Sequence, residues 1–135
     1  MKALPRWLLV LALLLSAACE DFSRPAEPVW DKQPCAHCRM LVSDPRYAGQ
    51  LVNRNHERLY FDDPGCLAAY VHSHAAELER AWVHAGSGWV PAERARFSAG
   101  QPSPMGYDFL PDPNGEHDFA AVTRAAATRH DRGAP

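Results

Sequence analysis

The 135-residue sequence has no long hydrophobic run, no excess of positive charge and no recognisable catalytic motif. Its longest apolar run, residues 7–15, is too short to cross a bilayer as a helix. The chain has 14 lysine and arginine residues against 16 aspartate and glutamate residues, without a basic stripe, so nucleic-acid binding has no electrostatic support. Neither a Gly-rich phosphate loop, nor a Ser, His and Asp set, nor a paired-carboxylate motif stands out. We therefore do not expect an enzyme.

The N-terminus has the layout of a secretory signal peptide over residues 1–18. Lys2 and Arg6 precede the apolar run, and small residues at 16–18 lead to Cys19. Small residues that end at a cysteine resemble a lipobox, so we expect Cys19 to carry a lipid that anchors the chain to the periplasmic face of a bacterial membrane. The alternative is a plain signal peptide cut after Ala18, which would leave Cys19 as a free thiol.

The remainder of the chain is predicted to contain one small α+β domain. Residues 19–33 have little periodicity and are predicted to be a tether, residues 34–128 the folded domain, and residues 129–135 a frayed tail. Twelve prolines favour short elements joined by turns. Hydrophobic patterns predict antiparallel strands and helices, in which a hairpin-plus-helix unit occurs twice and a knuckle lies at the N-terminal edge. The predicted strands are 47–52, 58–61, 81–85 and 89–90, and the predicted helices run from 64 to about 78 and from 118 to 128.

The segment from Cys35 to Met40 carries the clearest chemical signal. Two residues separate Cys35 from Cys38, a spacing that lets both thiolates bend toward one ion. If the chain leaves this knuckle extended, Cys38 and Met40 point to the same side. A thiolate with a thioether is a soft ligand pair, which predicts a copper(I) site. His37 is a further candidate, as a ligand or as a neighbour of the ligands.

Two sites further along the chain can complete this set. If Cys19 is lipidated, three cysteines remain, and an odd number cannot all pair within one chain. Cys66 lies in the first turn of a predicted helix, where a thiolate is stabilised. Met105 lies between Pro104 and Gly106, in a predicted loop where a methionine is poorly placed to pack in the core. It is therefore a candidate soft ligand. The alternative for Cys66 is a small buried hydrophobe.

Other readings of the cysteines stay open. Cys35 and Cys38 can form a disulfide, as is common in exported proteins, or a thiol-disulfide redox pair. A structural zinc site would use Cys35, Cys38, Cys66 and a histidine. Met40 can be a core residue, and Asp62 and Asp63 can attract a cation. Asp63 is predicted instead to cap the helix that begins at Pro64. The scattered histidines are predicted to be surface residues: His56, His72, His74 and His84.

Four motifs occur along the chain. They are Cys35-Ala36-His37-Cys38-Arg39-Met40, Tyr47-Ala48-Gly49-Gln50, Tyr60-Phe61-Asp62-Asp63 with Cys66 and Leu67, and Pro104-Met105-Gly106. Together they resemble the NosL family, whose members are lipoproteins that accompany nitrous oxide reductase. The resemblance covers residues 34–127 and implies a periplasmic copper(I) chaperone, built from two small related α+β units, that delivers copper to a copper enzyme. By match of motif it implies Cys38 and Met40 as ligands and Met105 as a matching position. Nitrous oxide reductase is the implied client, and a copper transporter is a further possible partner.

Overall fold

The computed structural model describes residues 20–133 of the chain. The predicted signal peptide and the predicted lipidation site Cys19 lie outside these residues. Within them the chain forms two antiparallel sheets and two helices, which confirms the predicted α+β class. None of the helices in this part of the chain has the length and apolar character needed to cross a membrane.

The larger sheet has four strands in the order β2-β1-β3-β4. All five residues of β1 are buried, because this strand lies between two neighbours and is covered on both faces. The predicted hairpin of the first two strands is confirmed, with Gly49 opposite Phe61. The Asn53 side chain closes its turn by accepting hydrogen bonds from the N–H groups of Asn55 and Glu57. The strands are β1 (Gly49–Asn53), β2 (Arg58–Phe61), β3 (Leu78–Ala85) and β4 (Gly88–Pro91).

The smaller sheet was not predicted. Its strands, in the order β6-β5-β7, are β5 (Arg96–Ala99), β6 (Phe109–Pro111) and β7 (His117–Asp118). The two outer strands of this sheet have three and two residues, too few to show an alternating pattern. Gly115 precedes β7 and lies directly against the backbone of Phe97, where a β-carbon would overlap that backbone. The absence of a side chain at this position therefore permits the close approach.

Two helices cover the sheets and pack against each other. Helix α1 (Pro64–Ser73) begins as predicted, with Asp63 as N-cap and proline at the first position. It ends at Ser73 rather than near Leu78, because the chain continues into a short 3-10 turn and then β3. Helix α2 (Phe119–Asp131) continues three residues into the segment that was predicted to fray.

The segment predicted to be a tether contacts the larger sheet. The buried Gln50 side chain exchanges two hydrogen bonds with the backbone of Ala26, both 3.0 Å long. The Trp89 indole donates to the Glu27 carboxylate at 2.7 Å, so residues near 26 and 27 are held to the domain.

The core fills the space between the sheets and the two helices. Its largest side chains come from both sheets and both helices, so the two sheets share one hydrophobic core. Packing of α1 against α2 places the first turn of α1 beside the last turns of α2. The largest buried apolar side chains are Phe61, Phe97, Leu51, Leu67, Val42, Val52, Val83 and Val122.

Candidate metal site

The knuckle is a tight reversal between Pro34 and Leu41, which form an isolated antiparallel bridge. The N–H of Cys35 donates to the Met40 carbonyl at 2.7 Å, and the N–H of Arg39 donates to the Cys35 carbonyl at 3.1 Å. Arg39 adopts φ of 71°, the left-handed conformation that reverses the chain. A further hydrogen bond, from the N–H of Ala36 to the carbonyl of residue 60 at 2.8 Å, fastens the knuckle to β2.

The chain from β2 into α1 brings the third cysteine to this knuckle. One sulfur or oxygen atom from each of Cys35, Cys38, Asp62 and Cys66 lies within 4.8 Å of the others. Cys35 and Cys66 are fully buried, Asp62 is nearly so, and the three cysteines are free thiols. The structure therefore brings together the three predicted cysteines and adds Asp62, whose neighbour Asp63 carries the same side chain but caps α1 instead.

The protonation of the three thiols is set by their contacts with one another. A hydrogen bond with Cys66 lowers the pKa of Cys35 to about 7, and the same contact raises the pKa of Cys66. Burial raises the pKa of Cys38 to about 12, and the Cys38 thiol donates to the Asp62 carboxylate at 3.1 Å. Cys35 is thus available as a thiolate near neutral pH, whereas Cys38 and Cys66 must each release a proton to bind a cation.

A cavity of about 340 Å³ opens beside the cluster. Burial lowers the pKa of His37, with His130 acting in the same direction, so the imidazole favours the neutral form that binds metals. His130 was not predicted as a site residue, because the tail in which it lies gave no pattern that pointed to the knuckle. The cavity is lined by His37, Cys38, Cys66, Ala69, Met105, Tyr107 and His130.

Met40 occupies a different place from Met105. The argument that Cys38 and Met40 point to one side required an extended chain, and Arg39 at φ of 71° breaks that condition. The Met40 side chain is 59 % exposed and does not line the cavity, whereas Met105 is half-buried and does. The geometric reason for choosing Met40 therefore fails, and its role as a ligand stays a prediction.

Of the histidines that were predicted to be surface residues, His56 and His72 are exposed, whereas His74 and His84 are half-buried. His74 stacks on Tyr70 with ring centroids 4.0 Å apart, and His84 packs edge-on to Trp89. Within residues 20–133, no histidine belongs to the four-residue cluster. The carboxylate of Asp62 occupies the place that the zinc alternative assigned to a histidine.

No family model and no curated protein matches the sequence. Among solved structures, the chain is similar to the copper chaperone NosL from Shewanella denitrificans. The two chains are 20 % identical, the match covers 79 % of this chain and 87 % of that chain, and the TM-score is 0.57. This chain has a NosL-like fold. The expectation of fold that came with the motif resemblance is confirmed.

Proposed function

We propose that this protein is a copper(I) carrier that binds one ion at Cys35, Cys38 and Cys66 and passes it to a copper protein. The observation that carries the proposal is the convergence of three free thiols from two separate parts of the chain within 4.8 Å. Buried thiols that act only as small hydrophobic residues have no chemical reason to lie this close to one another. The NosL-like fold supports the same function, because the solved structure with that fold is a copper chaperone.

Ligand softness favours copper(I) over harder cations at this site. Three sulfur atoms form a donor set that selects soft ions, and the Met105 thioether lies on the wall of the adjoining cavity. The thioether carries no proton, so its availability does not change with pH. His37 is a further ligand candidate from the same cavity, and Met40 remains a candidate only if the knuckle rearranges.

A structural zinc site is the second candidate, and one observation favours it. Asp62 supplies a fourth ligand atom to the cluster, and three thiolates with one carboxylate satisfy the tetrahedral coordination that zinc prefers. The two functions make different demands, because a carrier must release its ion and a structural zinc protein unfolds without it.

In this proposal, the location of the protein and the identity of the partner that receives copper are inferred from the sequence. Export with a lipid on Cys19 would place the site at the periplasmic face of a bacterial membrane, where copper enzymes and copper transporters exchange ions. Among copper proteins, nitrous oxide reductase is the client that the family resemblance favours. An ion bound next to an open cavity can be attacked by a ligand from such a partner without unfolding of the carrier.

The test is a copper(I) titration of the purified protein under anaerobic, reducing conditions, in competition with a chromophoric chelator. We expect one equivalent per chain to be withheld from the chelator. Cys38→Ser keeps the size and hydrogen-bonding capacity of the side chain but removes a soft donor, and it should release the ion to the chelator.

A parallel measurement separates copper carriage from structural zinc. Thermal melting with and without a zinc chelator should give the same midpoint if the protein is a carrier that folds without metal. Retention of zinc through purification, with unfolding after its removal, would favour the zinc candidate. Equal copper(I) retention by the wild type and Cys38→Ser would refute the proposed site.

A further inference from the structure

The loop of residues 103–107, here called the Met105 loop, is anchored to the start of α1. The anchor is Asp63, whose side chain is fully buried. One carboxylate oxygen, Oδ1, accepts the hydrogen bond of the helix cap from the Gly65 N–H at 2.7 Å. The other, Oδ2, accepts from the Ser103 hydroxyl at 2.6 Å and from the Met105 N–H at 2.9 Å. A single side chain therefore ties Met105 to the helix turn that carries Cys66.

The same loop is held from the opposite side by α2. Nη1 of Arg129 donates to the Met105 carbonyl at 2.8 Å and to the Gly106 carbonyl at 3.0 Å. The Arg129 guanidinium also lies over the Tyr107 ring, 4.5 Å from its centroid. Thus both backbone polar groups of Met105 are bound by charged side chains from the two helices.

Close packing completes the attachment. The Tyr107 ring lies so near Gly65 that a β-carbon on that residue would overlap it. Gly106 adopts φ of 66°, which lets the loop turn between Met105 and Tyr107 at little conformational cost. The loop is thereby pressed onto the first turn of α1, next to the cysteine cluster.

We propose that Asp63 and Arg129 are positioning residues that hold the Met105 thioether toward the cysteine cluster. This inference rests on the proposed copper(I) function. Neither side chain offers an atom to the ion. Both carboxylate oxygens of Asp63 already accept hydrogen bonds from N–H and O–H donors, and the Arg129 guanidinium is itself a cation. Their effect is to fix the backbone of a flexible, unbranched ligand residue, which lowers the entropy lost when its sulfur binds the ion.

The test is a double-mutant cycle on copper(I) affinity with Arg129→Gln and Met105→Leu. We expect Arg129→Gln to weaken binding about tenfold in the wild-type background, because loss of supporting contacts around a metal site commonly costs 10–100-fold. In the Met105→Leu background the same change should have no effect, because the sulfur that it positions is gone. Arg132→Gln is the matched control, because Arg132 is exposed at the C-cap of the same helix and donates to the Thr128 carbonyl in the last turn of that helix.

Asp63→Asn probes the other attachment while it preserves the fold. Asparagine caps helices as well as aspartate does, but its amide nitrogen cannot accept from the Met105 N–H. We expect the same loss of affinity and the same dependence on Met105. Equal losses in both backgrounds, or no loss in either variant, would overturn the inference even if the wild type binds copper(I). If the wild type retains no copper(I) in the titration, the proposed function itself fails.

Discussion

The knuckle and the Met105 loop each carry a methionine, and the two side chains have different surroundings. Met40 follows Cys38 by two residues but is 59 % exposed. Met105 is far from every cysteine in sequence, and yet its side chain lines the cavity that Cys38 and Cys66 also line. Backbone direction accounts for this difference, because Arg39 reverses the chain before Met40, while Asp63 and Arg129 fix the chain on both sides of Met105.

Proximity to Cys38 in sequence therefore does not bring the Met40 side chain into the cavity beside the cysteines. In a knuckle, one residue in the left-handed conformation decides whether the next side chain points to the ion or to solvent. Met105, in contrast, lines that cavity on a loop that is held by Asp63 and Arg129, two residues far from it in sequence.

The largest expected effect concerns Cys66, which is a proposed ligand whichever methionine joins the cysteines. Cys66→Ser should reduce copper(I) affinity by at least about 100-fold, because a lost ligand should cost no less than a lost supporting contact. The chelator competition measures this loss, and circular dichroism checks that the fold is retained. An unchanged affinity would remove Cys66 from the site and leave only the knuckle.

The next effect tests the docking of the Met105 loop. Gly65→Ala places a β-carbon in the Tyr107 ring and should lower the free energy of unfolding by about 1–3 kcal/mol, as overpacking commonly does. Gly88→Ala is the matched control, because a β-carbon there meets no atom within 4 Å. Chemical denaturation of the two variants gives the comparison, and equal stabilities would contradict the close packing.

A smaller effect separates the two methionines themselves. Met105→Leu conserves volume and should weaken copper(I) binding about tenfold, or about 1.4 kcal/mol, whereas Met40→Leu should leave it unchanged. The same competition assay serves for both variants. The reverse pattern would restore Met40 as the thioether ligand and would require the knuckle to rearrange around the ion.

The smallest effect concerns the thiols of the metal-free protein. Absorbance at a thiolate wavelength should rise as pH passes through about 7, where Cys35 loses its proton, and no second step should follow near neutrality. Cys66→Ala removes the hydrogen bond that stabilises this thiolate, so the pKa of Cys35 should rise toward its ordinary value of 9.0. A step that stays near pH 7 in this variant would show that Cys66 does not set it.

Strongly patterned local features were predictable from the sequence. The β1–β2 hairpin and the start of α1 at Asp63 and Pro64 rest on alternation, turn residues and capping, which are local signals. Cys66 was predicted to join the knuckle because it lies in the first turn of a helix, where a thiolate is stabilised. The strands β6 and β7 were missed because three and two residues are too few to show a period, and β5 was missed with them.

The missed site features have in common that tertiary contacts create them. Of the two adjacent aspartates, Asp63 was predictable as the helix cap, whereas the place of Asp62 in the cysteine cluster is created by the fold. The left-handed conformation of Arg39 could not be predicted from its residue type, because glycine, asparagine and aspartate are the residues that commonly adopt it. His130 and Arg129 lie in the alanine-rich C-terminal helix, and only the packing of the helices brings them to the Met105 loop.

We predict that Met105, and not Met40, is the thioether nearest to the bound ion. The chain has three methionines, so ¹³C-methyl-methionine labelling gives a spectrum that Met→Leu substitutions can assign completely. On addition of one equivalent of copper(I), we predict that the Met105 methyl signal shifts and that the Met40 signal does not. A shift of the Met40 signal with Met105 unmoved would contradict the account.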